Sequence, residues 1–226
     1  MSRPAGNATG AVTAPHWLSP LLLALDSVQA GELSQFTPPS DGSGRHSAVL
    51  ILFSPGADPS AETAAEADVL LIQRSATMRS HAGQVAFPGG ATDPQDASAS
   101  ATALREAAEE VGLRPDTVDV LAELPALWLP PSGFVVTPVL GYWRSPHPVG
   151  VVDEAEVASV HRVRLGELLL PANRFTVRHP SGYNGPGFGV DGLFVWGFTA
   201  GLLDRLLRLA GWEQPWDRAQ VRPLPV

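Results

Sequence analysis

Residues 70–113 read LLIQRSATMRSHAGQVAFPGGATDPQDASASATALREAAEEVGL. The run opens with most of an apolar strand, DVLLIQR at residues 68–74, and continues through a basic loop punctuated by glycines. A Gly-Gly turn then leads into a segment rich in alanine, the strongest helix former. A strand, a loop and a helix in this close succession predict an α/β fold.

The helix has clear start and stop signals. Ser98 or Asp96 can cap its first turn, and Gly112 suits the left-handed position that ends a helix. Its predicted apolar stripe follows a spacing of i, i+4, i+7 and consists of Leu104, Ala108 and Val111. These signals predict a helix between residues 98 and 112.

Three carboxylates lie close together on this helix. Glu106, Glu109 and Glu110 are spaced i, i+3, i+4, which predicts one shared face, and Arg105 is placed to hold Glu109. Like charges at this spacing repel by about 0.2–0.5 kcal/mol, and carboxylates in a last turn oppose the helix dipole. A solvated acidic face is one interpretation. A bound Mg²⁺ or Mn²⁺ ion is the other, because it would make both effects favourable.

The same residues resemble the Nudix box, G-x5-E-x7-R-E-U-x-E-E-x-G-U, in which U is aliphatic. The second half matches from Arg105 to Leu113, with Ala107 at an aliphatic position. In the first half, Asp96 replaces the first glutamate, and eight residues instead of seven separate it from Arg105. The resemblance therefore assigns no role to Asp96.

The preceding residues resemble LLTxR[SA]x3Rx3Gx3FPGG, the signature of the coenzyme A pyrophosphatase branch of this family. The matching positions are Leu70, Leu71, Arg74, Ser75, Arg79, Gly83 and residues 87–90. Ile72 replaces the threonine, and the altered spacing of the box also looks like that branch. Guanidinium groups bind phosphate oxygens in pairs, and glycines allow a close approach of the backbone.

The resemblance implies a Nudix-type α/β/α sandwich, an α+β fold with a mixed sheet between helices. Residues 153–163 resemble a further loop and strand of the branch, so Glu156 is a candidate ligand or general base, with a solvated strand-edge glutamate as the alternative. The predicted catalytic residues are Arg105, Glu106, Glu109, Glu110 and Glu156, and the predicted metal ligands are Glu106, Glu109 and Glu110. The predicted substrate-binding residues are Arg74, Arg79, Gly83, Gly89 and Gly90.

The implied reaction is metal-dependent cleavage of the diphosphate of coenzyme A, or of its derivatives, to 4′-phosphopantetheine and adenosine 3′,5′-bisphosphate. Two alternatives stay open. The first keeps the chemistry but acts on another nucleoside diphosphate derivative, such as ADP-ribose or a dinucleotide. The second is a nucleotide-binding module without catalysis, since a fold alone does not prove activity.

Composition excludes several other functions. A net charge of −8 argues against non-specific nucleic-acid binding. The absence of cysteine excludes disulfides, and no apolar run reaches the length of about 18–20 residues that a membrane span needs. We therefore expect a cytoplasmic enzyme whose partner is a small-molecule substrate. Its oligomeric state stays open, with a homodimer as one option.

The expected organisation is simple. A disordered tail is expected over residues 1–15, an N-terminal helix (to about Ala30) and linker over residues 16–46, and one Nudix domain with a C-terminal helix over residues 47–226. Further strands are predicted near residues 118–124, 133–143, 156–163 and 192–196. The Gly-rich stretch PSGYNGPGFGVDG, residues 180–192, is predicted to be a lid or structural loop.

Overall fold

The computed structural model describes most of the chain. The described residues are 14–58, 61–78, 80–130, 132–179, 182 and 184–224. Most of the expected N-terminal tail lies outside them, and so does Arg79, one of the predicted substrate-binding residues. None of the helices found within these ranges is both long and apolar enough to cross a membrane.

Along the chain, helices separate groups of consecutive strands. The helices are α1 (Ser19–Leu25), α2 (Ala30–Leu33), α3 (Ala99–Val111), α4 (Leu165–Leu169) and α5 (Gly197–Leu209). The strands are β1 (Arg45–Ser54), β2 (Asp68–Arg74), β3 (Val85–Ala86), β4 (Gly89–Ala91), β5 (Val118–Glu123), β6 (Leu127–Leu129), β7 (Phe134–Trp143), β8 (Val157–Arg164), β9 (Arg174–Arg178), β10 (Asn184–Val190), β11 (Leu193–Val195) and β12 (Val221–Pro223).

A mixed sheet of eight strands forms the centre of the fold. Its main path runs β3-β2-β1-β7-β5, with β4 beside β1, β6 beside β7 and β8 beside β2. Strands β1 and β7 are parallel, and the other neighbours in this sheet are antiparallel. A second sheet has the order β11-β10-β9-β12.

Alternate side chains of β1 enter two separate cores. Leu50 and Leu52 pack in the cluster that contains α3. Ile51 and Phe53 pack in the larger cluster that contains α1 and α5. Because successive residues of a strand point to opposite faces, the central sheet is covered on both sides. The predicted α/β/α sandwich with a mixed sheet is therefore confirmed.

The N-terminal helix ends earlier than expected. Helix α1 stops at Leu25 instead of near Ala30. A separate short helix, α2, begins at Ala30, where the backbone N–H of Gln29 donates to Oε2 of Glu32 at 2.8 Å. Upstream of α1, the buried Trp17 packs in the same core as α5. The segment is thus part of the packing on that face of the sheet.

The described part of the predicted Gly-rich loop is a strand, so the loop prediction is wrong for residues 184–190. Strand β10 pairs with both β9 and β11. A Cβ atom on Gly187 would lie 2.5 Å from Phe175 and 2.6 Å from Val177. The glycine therefore serves close packing between neighbouring strands rather than chain flexibility.

The buried face of α3 also differs from the predicted stripe. The fully buried apolar positions follow a spacing of i, i+4, i+8 and are Ala103, Ala107 and Val111. Leu104 and Ala108 are only partly buried. The helix is rotated toward its small alanines, which let it lie close to the sheet, and this rotation brings Glu110 into the buried face.

Helix α3 begins and ends at the predicted caps, and its first cap provides a test. The Oγ of Ser98 accepts the backbone N–H of Ala101 at 3.1 Å, and Gly112 ends the helix with φ 72°. We predict that Ser98→Ala lowers the free energy of unfolding by about 1 kcal/mol, because the Ala101 N–H loses its partner. Ser98→Asn keeps an acceptor and should stay close to the wild type in chemical denaturation. Equal losses in both variants would contradict capping by Ser98.

Candidate active site

Glu110 is the most buried of the three carboxylates on α3, with 2% of the residue exposed. The backbone N–H of Gly89 donates to its Oε2 at 2.9 Å, and its Oε1 has no hydrogen-bond partner within the described ranges. Burial raises the pKa of Glu110 to about 8, against the opposing effects of the Gly89 N–H and the Arg74 charge. A bound cation would stabilise this carboxylate in its charged form.

Glu106 lies against Gly90 of strand β4, which the structure forms where the sequence predicted a Gly-Gly turn. A Cβ atom on Gly90 would lie 2.4 Å from the Glu106 carboxylate, so the carboxylate occupies space that any other residue would fill. Burial raises the pKa of Glu106, and the nearby Arg105 opposes this effect. Gly89 and Gly90 therefore shape the carboxylate site, while their contact with substrate stays a prediction.

Arg105 connects the acidic side chains around it. Its Nη1 donates to Glu106 at 3.0 Å and to Glu109 at 2.9 Å. Its Nε and Nη2 donate to the two carboxylate oxygens of Asp96 at 3.1 and 2.9 Å, and Nη2 also donates to the Ala91 carbonyl. Paired donors of this kind fix the plane of a guanidinium group, so the orientation of Arg105 is set on two sides.

Asp96 is the residue of this site that sequence reasoning missed. Besides Arg105, it accepts the Thr102 hydroxyl at 2.9 Å and the Asp93 backbone N–H at 2.9 Å. Arg105 holds the pKa of Asp96 well below its usual range. The turn between Asp93 and Asp96, closed by a backbone hydrogen bond of 2.9 Å, contains residues of the altered box. An acidic residue just before the helix was the available signal, but its partner could not be inferred from spacing.

Glu109 lies apart from the other two carboxylates. Its side chain is 60% exposed, against 15% for Glu106, and it pairs with Arg105 at the surface. The structure therefore does not place all three carboxylates in one environment. The assignment of Glu109 as a metal ligand stays a prediction, and its exposure makes it the least constrained of the three.

The pairing of strands β2 and β8 brings Arg74 close to Glu156, the residue just before β8. The two strands shift register just before Arg74, and the Ser75 N–H donates to the Glu156 carbonyl at 2.7 Å. The charge of Glu156 acts on both Glu106 and Glu110, raising the pKa of each. The carboxylate proposed from outside the box thus joins the carboxylates on α3.

Arg74 has free hydrogen-bonding capacity. Its Nε is buried with no hydrogen-bond partner in the described part of the chain, and its Nη2 donates to the sulfur of Met78 at 2.9 Å. A buried donor without a partner is costly, and an anionic oxygen would satisfy it. Gly83, the other predicted substrate contact in this segment, has a left-handed backbone with φ 69°.

The carboxylates suit a divalent cation, although they are not arranged around one. No group of three or more His, Asp or Glu side chains in the described ranges has metal-holding geometry. Arg105 occupies an oxygen of Glu106, and Gly89 occupies one oxygen of Glu110. The unpartnered Oε1 of Glu110, close to two further carboxylates, is nevertheless the oxygen-rich environment that Mg²⁺ and Mn²⁺ prefer.

Two open clefts lie elsewhere on the molecule. One, of about 340 Å³, is lined by residues of the C-terminal segment such as Trp216. The other, of about 570 Å³, lies between the segment after β7 and strand β8, with Arg162 in its wall. Neither cleft is lined by Glu106, Glu110 or Glu156. The chemistry of these side chains therefore identifies the site better than the size of the clefts.

A mixed sheet between helices, with Glu106 and the buried Glu110 on one of those helices, is compatible with the class of hydrolases that use divalent metal ions. The NUDIX domain matches residues 44–181, so the chain belongs to the Nudix hydrolase family, whose members generally use such ions.

Two similar proteins are each named uncharacterized Nudix hydrolase NudL. One, from Photorhabdus laumondii subsp. laumondii, is 37% identical over 193 residues, which cover 80% of this chain and 94% of that protein. The other, from Cronobacter sakazakii, is 43% identical over 157 residues, covering 66% and 78%.

Solved structures are more distant. A Nudix hydrolase from M. smegmatis, RenU, has a TM-score of 0.48 and 22% identity, with 81% of this chain and 98% of that chain covered. The NUDIX domain of Shewanella oneidensis NrtR, complexed with ADP ribose, has a TM-score of 0.44 and 22% identity, covering 63% and 87%. At this distance neither structure bears on the substrate.

The raised pKa of Glu110 predicts a dependence of stability on pH. Its folded value of about 8 lies above the ordinary 4.5, so the folded state binds the proton more tightly. The resulting stability is fully present below about pH 4.5 and is lost as the pH rises to about 8. In metal-free protein, the wild type should therefore lose up to about 1.4 kcal/mol per pH unit relative to Glu110→Gln.

Chemical denaturation in chelator between pH 5 and pH 8 measures this difference. Glu109→Gln is the matched control, and its curve should run parallel to that of the wild type because Glu109 is exposed. Added Mg²⁺ or Mn²⁺ should reduce the loss. A constant difference between the wild type and Glu110→Gln across this range would contradict the assigned burial of a charged group.

Proposed function

We propose that this Nudix hydrolase cleaves the diphosphate of coenzyme A, or of its derivatives, to 4′-phosphopantetheine and adenosine 3′,5′-bisphosphate. The observation that carries the proposal is the spacing of residues 70–90, which resembles the coenzyme A pyrophosphatase branch. The position of Arg74 supports it, because the Arg74 charge acts directly on Glu110. A phosphate group bound by Arg74 would thus lie beside the carboxylates.

The carboxylates supply the metal site in this proposal. Mg²⁺ or Mn²⁺, held by Glu106 and Glu110 with Glu109 as a further ligand, would polarise the phosphate and lower the pKa of a bound water. Arg105 fixes the direction of the Glu106 carboxylate through Nη1. Asp96 fixes Arg105 in turn, which keeps the ligand preorganised.

The remaining residues act on the substrate and on water. Arg74 neutralises charge on the phosphate oxygens during in-line displacement. Glu156 takes the proton of the attacking water, and Glu109 is the alternative base. Arg79, Gly83, Gly89 and Gly90 complete the proposed substrate contacts. The proposed partner is a small-molecule substrate, with the oligomeric state left open, and the proposed location is the cytoplasm.

The test of the substrate is direct. Purified protein is incubated with coenzyme A and Mg²⁺ or Mn²⁺, and the nucleotides are separated by chromatography. We expect adenosine 3′,5′-bisphosphate and 4′-phosphopantetheine in equal amounts, and neither in chelator. ADP-ribose and a dinucleotide are compared by kcat/KM, since specificity is a ratio of these values. Failure to release the bisphosphate, or a higher kcat/KM for another diphosphate, would reject coenzyme A as the substrate.

The base is tested by a pair of neighbouring glutamates. Glu156→Gln should lower kcat by about 10²–10⁴-fold, because Gln cannot accept the proton of the attacking water. Glu154→Gln changes the same group two residues away on an exposed side chain and should leave kcat unchanged. Circular dichroism should be native for both. Full activity of Glu156→Gln together with loss of activity in Glu109→Gln would transfer the role to Glu109.

A further inference from the structure

Three polar side chains form a hydrogen-bonded chain between strands β2 and β8. The Oγ of Ser159 lies 2.7 Å from Nε2 of His161 and 3.3 Å from Oε1 of Gln73. The Nε2 of Gln73 lies 3.3 Å from the carbonyl oxygen of Gly83. We call Gln73, Ser159 and His161 the Gly83 relay, because their hydrogen bonds end at that carbonyl.

The direction of the relay follows from its last bond. A carbonyl oxygen only accepts, so the NH₂ group of Gln73 must face Gly83, and its Oε1 must face Ser159. The Ser159 hydroxyl therefore donates to Gln73, and the remaining bond requires Nε2–H of His161 to donate to Ser159. The hydrogen bonds therefore run in one direction, from His161 to Ser159, from Ser159 to Gln73 and from Gln73 to the Gly83 carbonyl.

The relay follows an apolar run on one face of strand β2. Gln73 follows Val69 and Leu71 on the β2 face that packs in the larger core, and Ser159 lies directly opposite Gln73. An apolar pair at these positions would continue the pattern of the strand. The three relay side chains are only partly buried, so their mutual hydrogen bonds, rather than core packing, define their positions.

The turn at the end of the relay has a demanding backbone. His81 and Gly83 both have positive φ, 57° and 69°. The turn is closed by the Gln84 N–H on the His81 carbonyl and by the Arg74 N–H on the Gln84 carbonyl. A non-glycine residue in this conformation persists only when its surroundings determine it, and such residues concentrate at functional sites.

We propose that the Gly83 relay positions the turn at residues 81–84 for substrate binding, so that Gln73 and Ser159 set substrate affinity without contacting the substrate. Gln73 of the relay donates to the Gly83 carbonyl, and the next carbonyl along the chain, that of Gln84, accepts the backbone N–H of Arg74. The relay thus links the predicted contact Gly83 to the predicted contact Arg74. This inference rests on the proposed function only in taking these two residues as substrate contacts.

The test uses substitutions that change one atom or one group. Gln73→Glu replaces the donor to Gly83 by an acceptor, and Ser159→Ala removes the central hydroxyl. Both should raise KM by about three- to tenfold with kcat within about twofold, because the lost interaction affects substrate and transition state equally. Ser159→Thr keeps the hydroxyl and should restore the wild-type KM. Gln220→Glu makes the same amide-to-carboxylate change at an exposed site and should have no effect.

A second measurement does not depend on the substrate. Amide hydrogen exchange, followed by mass spectrometry, should be faster at residues 81–84 in Gln73→Glu and Ser159→Ala, and unchanged in Ser159→Thr and Gln220→Glu. An unchanged KM in the first two variants would overturn the relay, whether or not kcat falls, and so would unchanged exchange at residues 81–84.

The kinetics are measured with coenzyme A or with whichever diphosphate the wild type cleaves best. Cleavage of another diphosphate with the expected KM pattern would reject the proposed function and retain the relay. Cleavage of coenzyme A with unchanged KM in Gln73→Glu and Ser159→Ala would do the reverse. If no diphosphate is cleaved, the exchange rates alone decide for or against the relay.

Discussion

The guanidinium group of Arg105 is the constraint on which the site depends. It lies among three carboxylates, Asp96, Glu106 and Glu109, and donates to all of them. One positive charge cannot balance three negative ones. Arg74 adds a second cation and Glu156 a fourth carboxylate, while Glu110 adds to the excess only when it is ionised. The folded chain therefore holds more negative charge here than its own cations neutralise. Partly buried charge in excess is unstable unless a counter-ion joins it, which is the physical case for a metal site.

The backbone contributes as much to this site as the side chains do. Strand β4 approaches β1 so closely that a Cβ atom on Gly89 would lie 2.3 Å from the Ala48 carbonyl oxygen. The same residue presents its N–H to Glu110, and its neighbour Gly90 leaves the space for Glu106. Two adjacent glycines thus serve sheet packing and the placement of the two carboxylates together, so neither requirement can be altered alone.

Local chemistry made part of the structure readable from sequence. The caps Ser98 and Gly112 fixed the ends of α3, because capping depends on the residues at the ends themselves. The buried face of α3 differs from the predicted one, because small alanines buried against a sheet give a weaker hydropathy signal than Leu104 does. Asp96 was left without a role for a different reason: its bond to Arg105 depends on the path of the turn before the helix. Pairings between distant strands, such as the one that joins Gln73 to Ser159, have no local signature at all.

The order of strands has a consequence for how the site comes into being. Its carboxylates are supplied by α3 and by the residue before β8, and β8 is held in the central sheet by its pairing with β2. A nascent chain that has been synthesised beyond α3 contains all residues of the Nudix box. It still lacks Glu156 and strand β8, which pairs with Arg74. Contacts of such long sequence separation form late, because chain closure must precede them. If these carboxylates bind a cation, full affinity would be reached only after β8 has paired with β2. Cation binding would then indicate that folding is complete.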